Sequence, residues 1–256
     1  MKTALITGAS EGLGRCFATT LAKQHWRLIL VARNEARLYE LKSSLPNSNA
    51  HNVIKADLSD ASAVENLSNT FGEQRIELLI NNAGFSRFGQ FKDQSLTDEL
   101  TMLKVNCQAL MMLSHAYLQH AQSGDAIINL SSVTAWLPTP VQPTYVATKA
   151  FIKAFSENLW QQGRKHGVYV QTLCPGPTRT EFINRAGNIS KADLLNKLSG
   201  TPESVINLSL NALQKRKAPV VVPGASNKLT AILIRMLPRK WAIVMMGLVS
   251  DYGLSE

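Results

Sequence analysis

Seven short apolar runs recur along the chain: ALIT (4–7), RLILVA (27–32), NVIKA (52–56), ELLI (77–80), AIINL (126–130), YVQTLC (169–174) and PVVV (219–222). Rich in β-branched and aliphatic side chains and bounded by polar or turn-forming residues, they predict strands. Most of the longer segments between them carry apolar residues at helical spacing, as in Leu13, Phe17 and Leu21, or Phe151, Phe155 and Leu159. Strands this apolar, alternating with helices, predict a parallel sheet buried on both faces. Crossovers between parallel strands are right-handed, so the expected fold is α/β: a Rossmann-like, doubly wound parallel sheet of about seven strands with helices on both faces. No internal repeat, low-complexity run or linker divides the chain, and a single domain over 1–256 is expected.

The 256 residues are enough for one large domain with a full core. Hydrophobic residues at 45% and charged residues at 18% fit a soluble globular protein. Three cysteines (Cys16, Cys107, Cys174), far apart and without a C-x-x-C pair, fit neither a disulfide framework nor a zinc site; they point to a reducing cytoplasm. The five histidines are scattered without ligand spacing, and no metal is expected. The apolar start MKTALITGAS is too short for a signal peptide, being stopped by Gly8, Glu11 and Arg15. The net charge of +9 raises nucleic acid as a partner, but no basic helix or aromatic-interleaved patch carries it, so none is expected.

In a doubly wound sheet, ligands bind beyond the carboxyl ends of the strands, near the point where strand order reverses. After the first strand comes TGASEGLG (7–14), with Gly8, Gly12 and Gly14 spaced G-x-x-x-G-x-G. Such glycines let the backbone turn tightly and approach a pyrophosphate resting on the N-terminus of the helix that begins near Leu13. A glycine trio is a weak signal alone; the strand–turn–helix context strengthens it. The second strand ends in VARNEAR (31–37), where Arg33 stands in place of the acid expected of an NAD site. Guanidinium matches a 2′-phosphate, so Arg33 favours NADP(H) over NAD(H). Glu11 in the glycine loop is a counter-signal, and Arg33 read alone is equally well a surface arginine.

TYVATKA (144–150) puts Tyr145 one helical turn before Lys149. Alone, the pair is better read as two residues that happen to share a helix face. In the company of the other motifs it is not, because the chain resembles the short-chain dehydrogenase/reductase family over about residues 3–224. TGASEGLG resembles the family's cofactor loop, with Ser10 and Leu13 beside the glycines. ADLS resembles its adenine contact, at Asp57 and Leu58. NNAG (81–84) resembles the motif closing strand four, with Asn82, Ala83 and Gly84 near the adenosine ribose. Asn106 in LKVNCQA, Ser132 in NLSSV, Tyr145 and Lys149 resemble the catalytic tetrad; Ser132 precedes Tyr145 by 13 residues, the family spacing. PGPTRT (175–180) resembles the nicotinamide loop, through Pro175, Gly176, Thr178 and Thr180.

The resemblance implies hydride transfer between a nicotinamide and a small-molecule carbonyl or alcohol. Tyr145 donates the proton; tyrosine's ordinary pKa of about 10 is high for neutral pH, and the Lys149 cation is expected to lower it. Lys149 is also implied to hold the nicotinamide ribose, Ser132 to hydrogen-bond the carbonyl oxygen, and Asn106 to hold a water leading to Lys149. The expected activity is NADP(H)-dependent reduction of a ketone or aldehyde. The alternatives are an NAD-dependent alcohol dehydrogenase, or a catalytically silent nucleotide sensor or scaffold, which has no need of an intact tetrad. Phe85, Phe88, Phe91, Val133, Trp136 and Leu137 are placed at the pocket mouth and favour an apolar, steroid-like or long-chain carbonyl, unless they pack against a lid or subunit. A polar lid is expected at about 181–200.

Beyond the family core, residues 225–256 form an amphipathic tail predicted as two helices broken at Pro238. Residues 191–256 hold nine Lys or Arg against four Asp or Glu. Three readings stand for the tail: packing on its own domain, on a subunit of the homodimer or homotetramer common in this family, or on the periphery of a membrane.

Overall fold

In a computed structural model of the chain, residues 1–180 and 199–251 are described. Seven strands form one sheet: β1 (Thr3–Thr7), β2 (Arg27–Ala32), β3 (Asn52–Lys55), β4 (Leu78–Asn81), β5 (Ala126–Leu130), β6 (Tyr169–Leu173) and β7 (Val220–Val221). All pairings are parallel, in the order β3-β2-β1-β4-β5-β6-β7. Each strand lies on one of the apolar runs read from the sequence, and only β7 is markedly shorter than its run.

The helices described are α1 (Gly12–Lys23), α2 (Glu35–Ser44), α3 (Ala61–Glu73), α4 (Leu96–Leu103), α5 (Leu110–His120), α6 (Pro143–Gly163), α7 (Pro202–Lys215), α8 (Ala225–Met236) and α9 (Arg239–Asp251). Several start where the sequence supplies a cap: Asn34, Asp60, Ser95 and Thr201 each accept a hydrogen bond from a backbone N–H in the first turn.

Strand alternation splits the core in two. Ala4, Ile6, Leu28, Leu30, Leu78 and Ile80 pack with Phe17, Leu21, Leu38, Leu41, Ile206 and Leu210 of α1, α2 and α7. Leu5, Ile29, Val31 and Leu79 pack on the other face with Val64, Leu67 and Phe71 of α3 and Leu113 and Tyr117 of α5. Period-two side chains buried on both faces are what an all-parallel sheet requires. Strand order reverses between β1 and β4, so the loops after these strands open at the switch point.

Candidate active site

Thr7 ends β1, and its hydroxyl accepts from the backbone N–H groups of Asn82 and Ala83, both at 3.0 Å. The Asn82 amide donates to the carbonyl oxygens of Thr7 at 2.9 Å and Gly8 at 3.2 Å. The loops after β1 and β4 are thereby clamped together. Gly8 (φ 64) and Gly12 (φ 54) adopt left-handed conformations, and a Cβ on Gly14 would overlap the Gly8 carbonyl. A Cβ on Gly8 would lie 2.9 Å from the Ala83 Cα, and one on Gly12 would meet Thr180 at 3.6 Å.

Side chains are therefore excluded from the floor of this loop. Above it α1 begins without a side-chain cap from Glu11. Tight backbone and helix N–H groups together fit the pyrophosphate of a dinucleotide. Ser10 and Leu13 sit half-buried on the same turn.

The corner after β2 is wet and charged. Arg33 is exposed. Asp57 is pushed up by burial, but hydrogen bonds from the Ser59 backbone and hydroxyl and the charge of Arg33 outweigh this and leave it below the usual carboxylate range. Leu58, next in the chain, is buried in the core. Glu11 makes an ion pair with Arg37 (3.1 Å), which brings a second arginine to this corner. Sequence reasoning missed Arg37. It stands in the VARNEAR segment that drew attention to Arg33, but nothing local ties it to Glu11, 26 residues earlier.

The second cluster is dry. The turn between α4 and α5, Lys104–Ala109, winds as a π-helix, a rare form that often marks functional positions. It carries Asn106, which is fully buried: its Oδ1 accepts from the Phe85 N–H (3.1 Å), and its Nδ2 donates to the Phe85 carbonyl (3.0 Å) and the Thr148 hydroxyl (3.2 Å). Thr148 in turn donates to the Tyr145 carbonyl at 2.7 Å. A Cβ on Gly84 would lie 3.0 Å from Asn106 Oδ1 and 3.6 Å from Lys149 Nζ, so Gly84 keeps this junction open.

Tyr145 and Lys149 share one face of α6, with the Lys149 Nζ 5.4 Å from the centre of the tyrosine ring. Lys149 Nζ donates to the Leu130 carbonyl at 2.9 Å, and the Ser131 hydroxyl donates to the Lys149 carbonyl at 2.7 Å. Ser132 caps the short turn Val133–Ala135 and hydrogen-bonds Tyr145. Thr148 and Ser131, both buried, were also missed. Each adjoins a predicted residue, but which backbone group it holds is visible only in three dimensions.

Protonation here departs from the expectation. Burial pushes the Tyr145 phenol well above its ordinary value, against the lowering effect of the Ser132 hydrogen bond. The predicted net lowering is thus corrected: the cost of removing phenolate from water dominates, and the opposing influence comes from Ser132 rather than Lys149. Burial likewise pushes Lys149 down to about 8. Cys107 and Cys174 are pushed up to about 11 and about 12 by burial, and so stay thiols beside it.

The loop after β6 completes the surround. The Thr178 hydroxyl donates to the Gly176 carbonyl (2.9 Å), the Thr180 hydroxyl to the Thr178 carbonyl (3.4 Å), and Pro175 accepts from the Ser132 hydroxyl at 3.5 Å. Phe85 is half-buried against Asn106, Phe88 is half-buried with its carbonyl held by Gln94, Val133 is buried, and Trp136 and Leu137 are half-buried; Phe91 is on a short turn, 57% exposed. Most of the expected lid, residues 181–198, lies outside the described residues.

A glycine-floored cradle at the switch point of a parallel sheet, beside a buried tyrosine, lysine and serine, defines a nucleotide-binding oxidoreductase. The chain matches the short chain dehydrogenase family over residues 2–189 and belongs to it. It is 35% identical to sulfoacetaldehyde reductase 2 of Chromohalobacter salexigens, over 75% of this chain and 79% of that protein. With 7beta-hydroxysteroid dehydrogenase of Mediterraneibacter gnavus the identity is 29%, over 88% and 86% of the two chains. The solved short-chain dehydrogenase from Sphingobium yanoikuyae in complex with NADPH superposes with a TM-score of 0.80 at 29% identity, covering 100% of this chain and 98% of that one. The chain is an oxidoreductase of carbonyl and alcohol groups, with a nicotinamide nucleotide as cofactor.

Proposed function

We propose that this chain, acting as a single domain, is an NADP(H)-dependent reductase of an apolar ketone or aldehyde. The observation that carries the reading is the dry junction of Ser132, Tyr145 and Lys149, in which the phenol keeps its proton until negative charge builds on an oxygen beside it. A bound nicotinamide supplies the hydride. Ser132 hydrogen-bonds the substrate oxygen as negative charge builds there, and Tyr145 delivers the proton to that oxygen. Lys149, cationic below about pH 8, stabilises the tyrosinate left behind and grips the nicotinamide ribose. Asn106, already fixed by three hydrogen bonds, holds the helix turn beside Lys149 and a water for reprotonation.

NADP(H) is favoured by two arginines, Arg33 and Arg37, at the corner after β2, where Arg37 balances the carboxylate of Glu11. Gly8, Gly12 and Gly14 floor the pyrophosphate, Asp57 and Leu58 flank the adenine, Asn82 and Ala83 the adenosine ribose, and Pro175, Gly176, Thr178 and Thr180 the nicotinamide amide. An apolar substrate is supported by Phe85, Val133, Trp136 and Leu137, and by likeness to a steroid dehydrogenase; likeness to a reductase of small sulfonated aldehydes pulls the other way. The expected homodimer or homotetramer has an exposed apolar face available on Leu100, Leu103, Met111 and Phe151, and sedimentation of the purified protein reads it directly.

NADPH consumption across a panel of steroid, long-chain and short polar ketones and aldehydes tests the reading. Turnover of apolar carbonyls with NADPH, and much weaker turnover with NADH, is expected. Turnover confined to short polar aldehydes, or equal use of NADH, would overturn the substrate or the cofactor assignment respectively.

A further inference from the structure

Helices α8 and α9 are packed inside out. Their buried side chains are small, Ala231 at 6% and Ala242 at 0% exposure. Their bulky apolar side chains face water: Leu229, Ile232, Leu233 and Met236 on α8, and Trp241, Ile243, Val244, Met245 and Leu248 on α9, all between 45% and 78% exposed. A helix covering its own domain for stability does the reverse, burying leucine and isoleucine and showing alanine. Two further bulky side chains of these helices, Ile234 and Met246, are half-buried.

The charge around the patch selects its occupant. The two helices and their joint, 225–251, contain four cations, Lys228, Arg235, Arg239 and Lys240, against one acid, Asp251 at the last position of α9. A second copy meeting this face across a two-fold axis would bring those cations against themselves, four from each copy with one acid each to answer them. An anionic lipid surface answers both halves of the pattern, taking the apolar side chains into its acyl boundary and the cations among its headgroups. Trp241, 67% exposed, is the residue type that settles at such a boundary. Among the described residues no helix is long and apolar enough to cross a membrane, so the contact is peripheral.

We propose that α8 and α9 dock the protein onto anionic membrane surfaces with the mouth of the candidate site beside the lipid. The tail is anchored at that mouth at two points. Asn227 of α8 donates to the Pro223 carbonyl at 2.7 Å and lies so close to Gly176 that a Cβ there would overlap it. Arg239, at the head of α9, donates to the Trp136 carbonyl at 3.4 Å, and Lys153 of α6 lies 5.2 Å over the Trp136 ring. Docking by this face brings the segments after β5 and β6 next to the bilayer, where an apolar carbonyl is dissolved. The docking itself is independent of the activity; its bearing on substrate delivery rests on the reductase reading.

The test is co-sedimentation of the full-length protein with vesicles of phosphatidylcholine alone and of phosphatidylcholine with phosphatidylglycerol, at low and high salt, alongside NADPH fluorescence titration. Binding to the anionic vesicles, weakened by salt, is expected. The double variant Arg235→Glu/Lys240→Glu should lower the vesicle partition coefficient about 25-fold or more. Leu233→Ser/Trp241→Ser should lower it comparably by removing inserted apolar area. Both variants should titrate NADPH like the parent, which shows that they fold. Three results would overturn the proposal: no sedimentation with anionic vesicles, sedimentation that the charge reversal leaves unchanged, or self-association abolished by Leu233→Ser/Trp241→Ser in a protein that ignores lipid. Failure of NADPH titration in the parent protein would instead count against the reductase reading alone.

Discussion

Tyr145 and Arg33 follow strands on opposite sides of the sheet's switch point, and they are built on opposite principles. Around Tyr145, 8% exposed, the polar groups named above are tied down: Asn106 to Phe85 and Thr148, Thr148 to Tyr145, Ser131 to Lys149, Lys149 to Leu130. Around Arg33 the groups are exposed charges, paired in water as Arg37 is with Glu11. In the dry corner burial decides protonation, driving the phenol up and the ammonium down. In the wet corner solvent screens each charge, and partners trade easily. Chemistry belongs in the first kind of site, where a dipole fixed in place costs nothing to reorganise. Discrimination between two cofactors that differ by one phosphate needs only the second.

Substitutions across the two corners should therefore differ in scale. The largest effect is expected from Tyr145→Phe, which keeps the packing and removes the proton: kcat/KM for carbonyl reduction should fall on the order of 10²–10⁴-fold, with NADPH affinity by fluorescence titration unchanged. Residual activity near the parent's would break the contrast at its dry end. Arg33→Ala comes next. Losing a charge-assisted contact worth roughly 1.5–3 kcal/mol should weaken NADPH about ten- to hundredfold and leave NADH nearly untouched. An equal loss for both cofactors would show Arg33 supporting the fold rather than the phosphate.

A pH profile sharpens the comparison further. Lys149, pushed down to about 8, is a cation below that pH and neutral above it, while Tyr145 keeps its proton across the range. Reduction should be level below pH 8 and fall by about tenfold per pH unit above it, as a single ionisation requires. In Lys149→Arg the guanidinium holds its proton, so whatever activity remains should lose this limb. A limb that survives in Lys149→Arg would assign it to another group. The smallest effect belongs to Glu11→Gln, which frees Arg37 from a half-exposed ion pair worth about 0.2–1 kcal/mol; NADPH should bind roughly 1.4- to 5-fold tighter by the same titration.

How much of this was readable along the chain varies with the range of the interaction. RLILVA became β2 and AIINL became β5 residue for residue, because strand formation follows side-chain shape and alternation within a handful of neighbours. Pro238 broke the tail into α8 and α9, since a missing N–H acts where it stands. Thr7 and Thr148 were passed over, although each lies inside a motif that was read. Their hydroxyls serve a backbone N–H and a side-chain amide that arrive from 75 and 42 residues away, and no local pattern records that.

By itself the sequence determined the strand runs, the tight turns that call for Gly8 and Gly12, and the one-turn spacing that puts Tyr145 over Lys149. Each depends on covalent geometry or on neighbours within about one turn. The tertiary structure alone decided that burial raises the Tyr145 phenol rather than lowering it, that Glu11 pairs with Arg37, and that the tail buries Ala231 and Ala242 while most of its large apolar side chains face out. Those outcomes depend on burial, and burial is set by which distant segments pack around a group and exclude water from it.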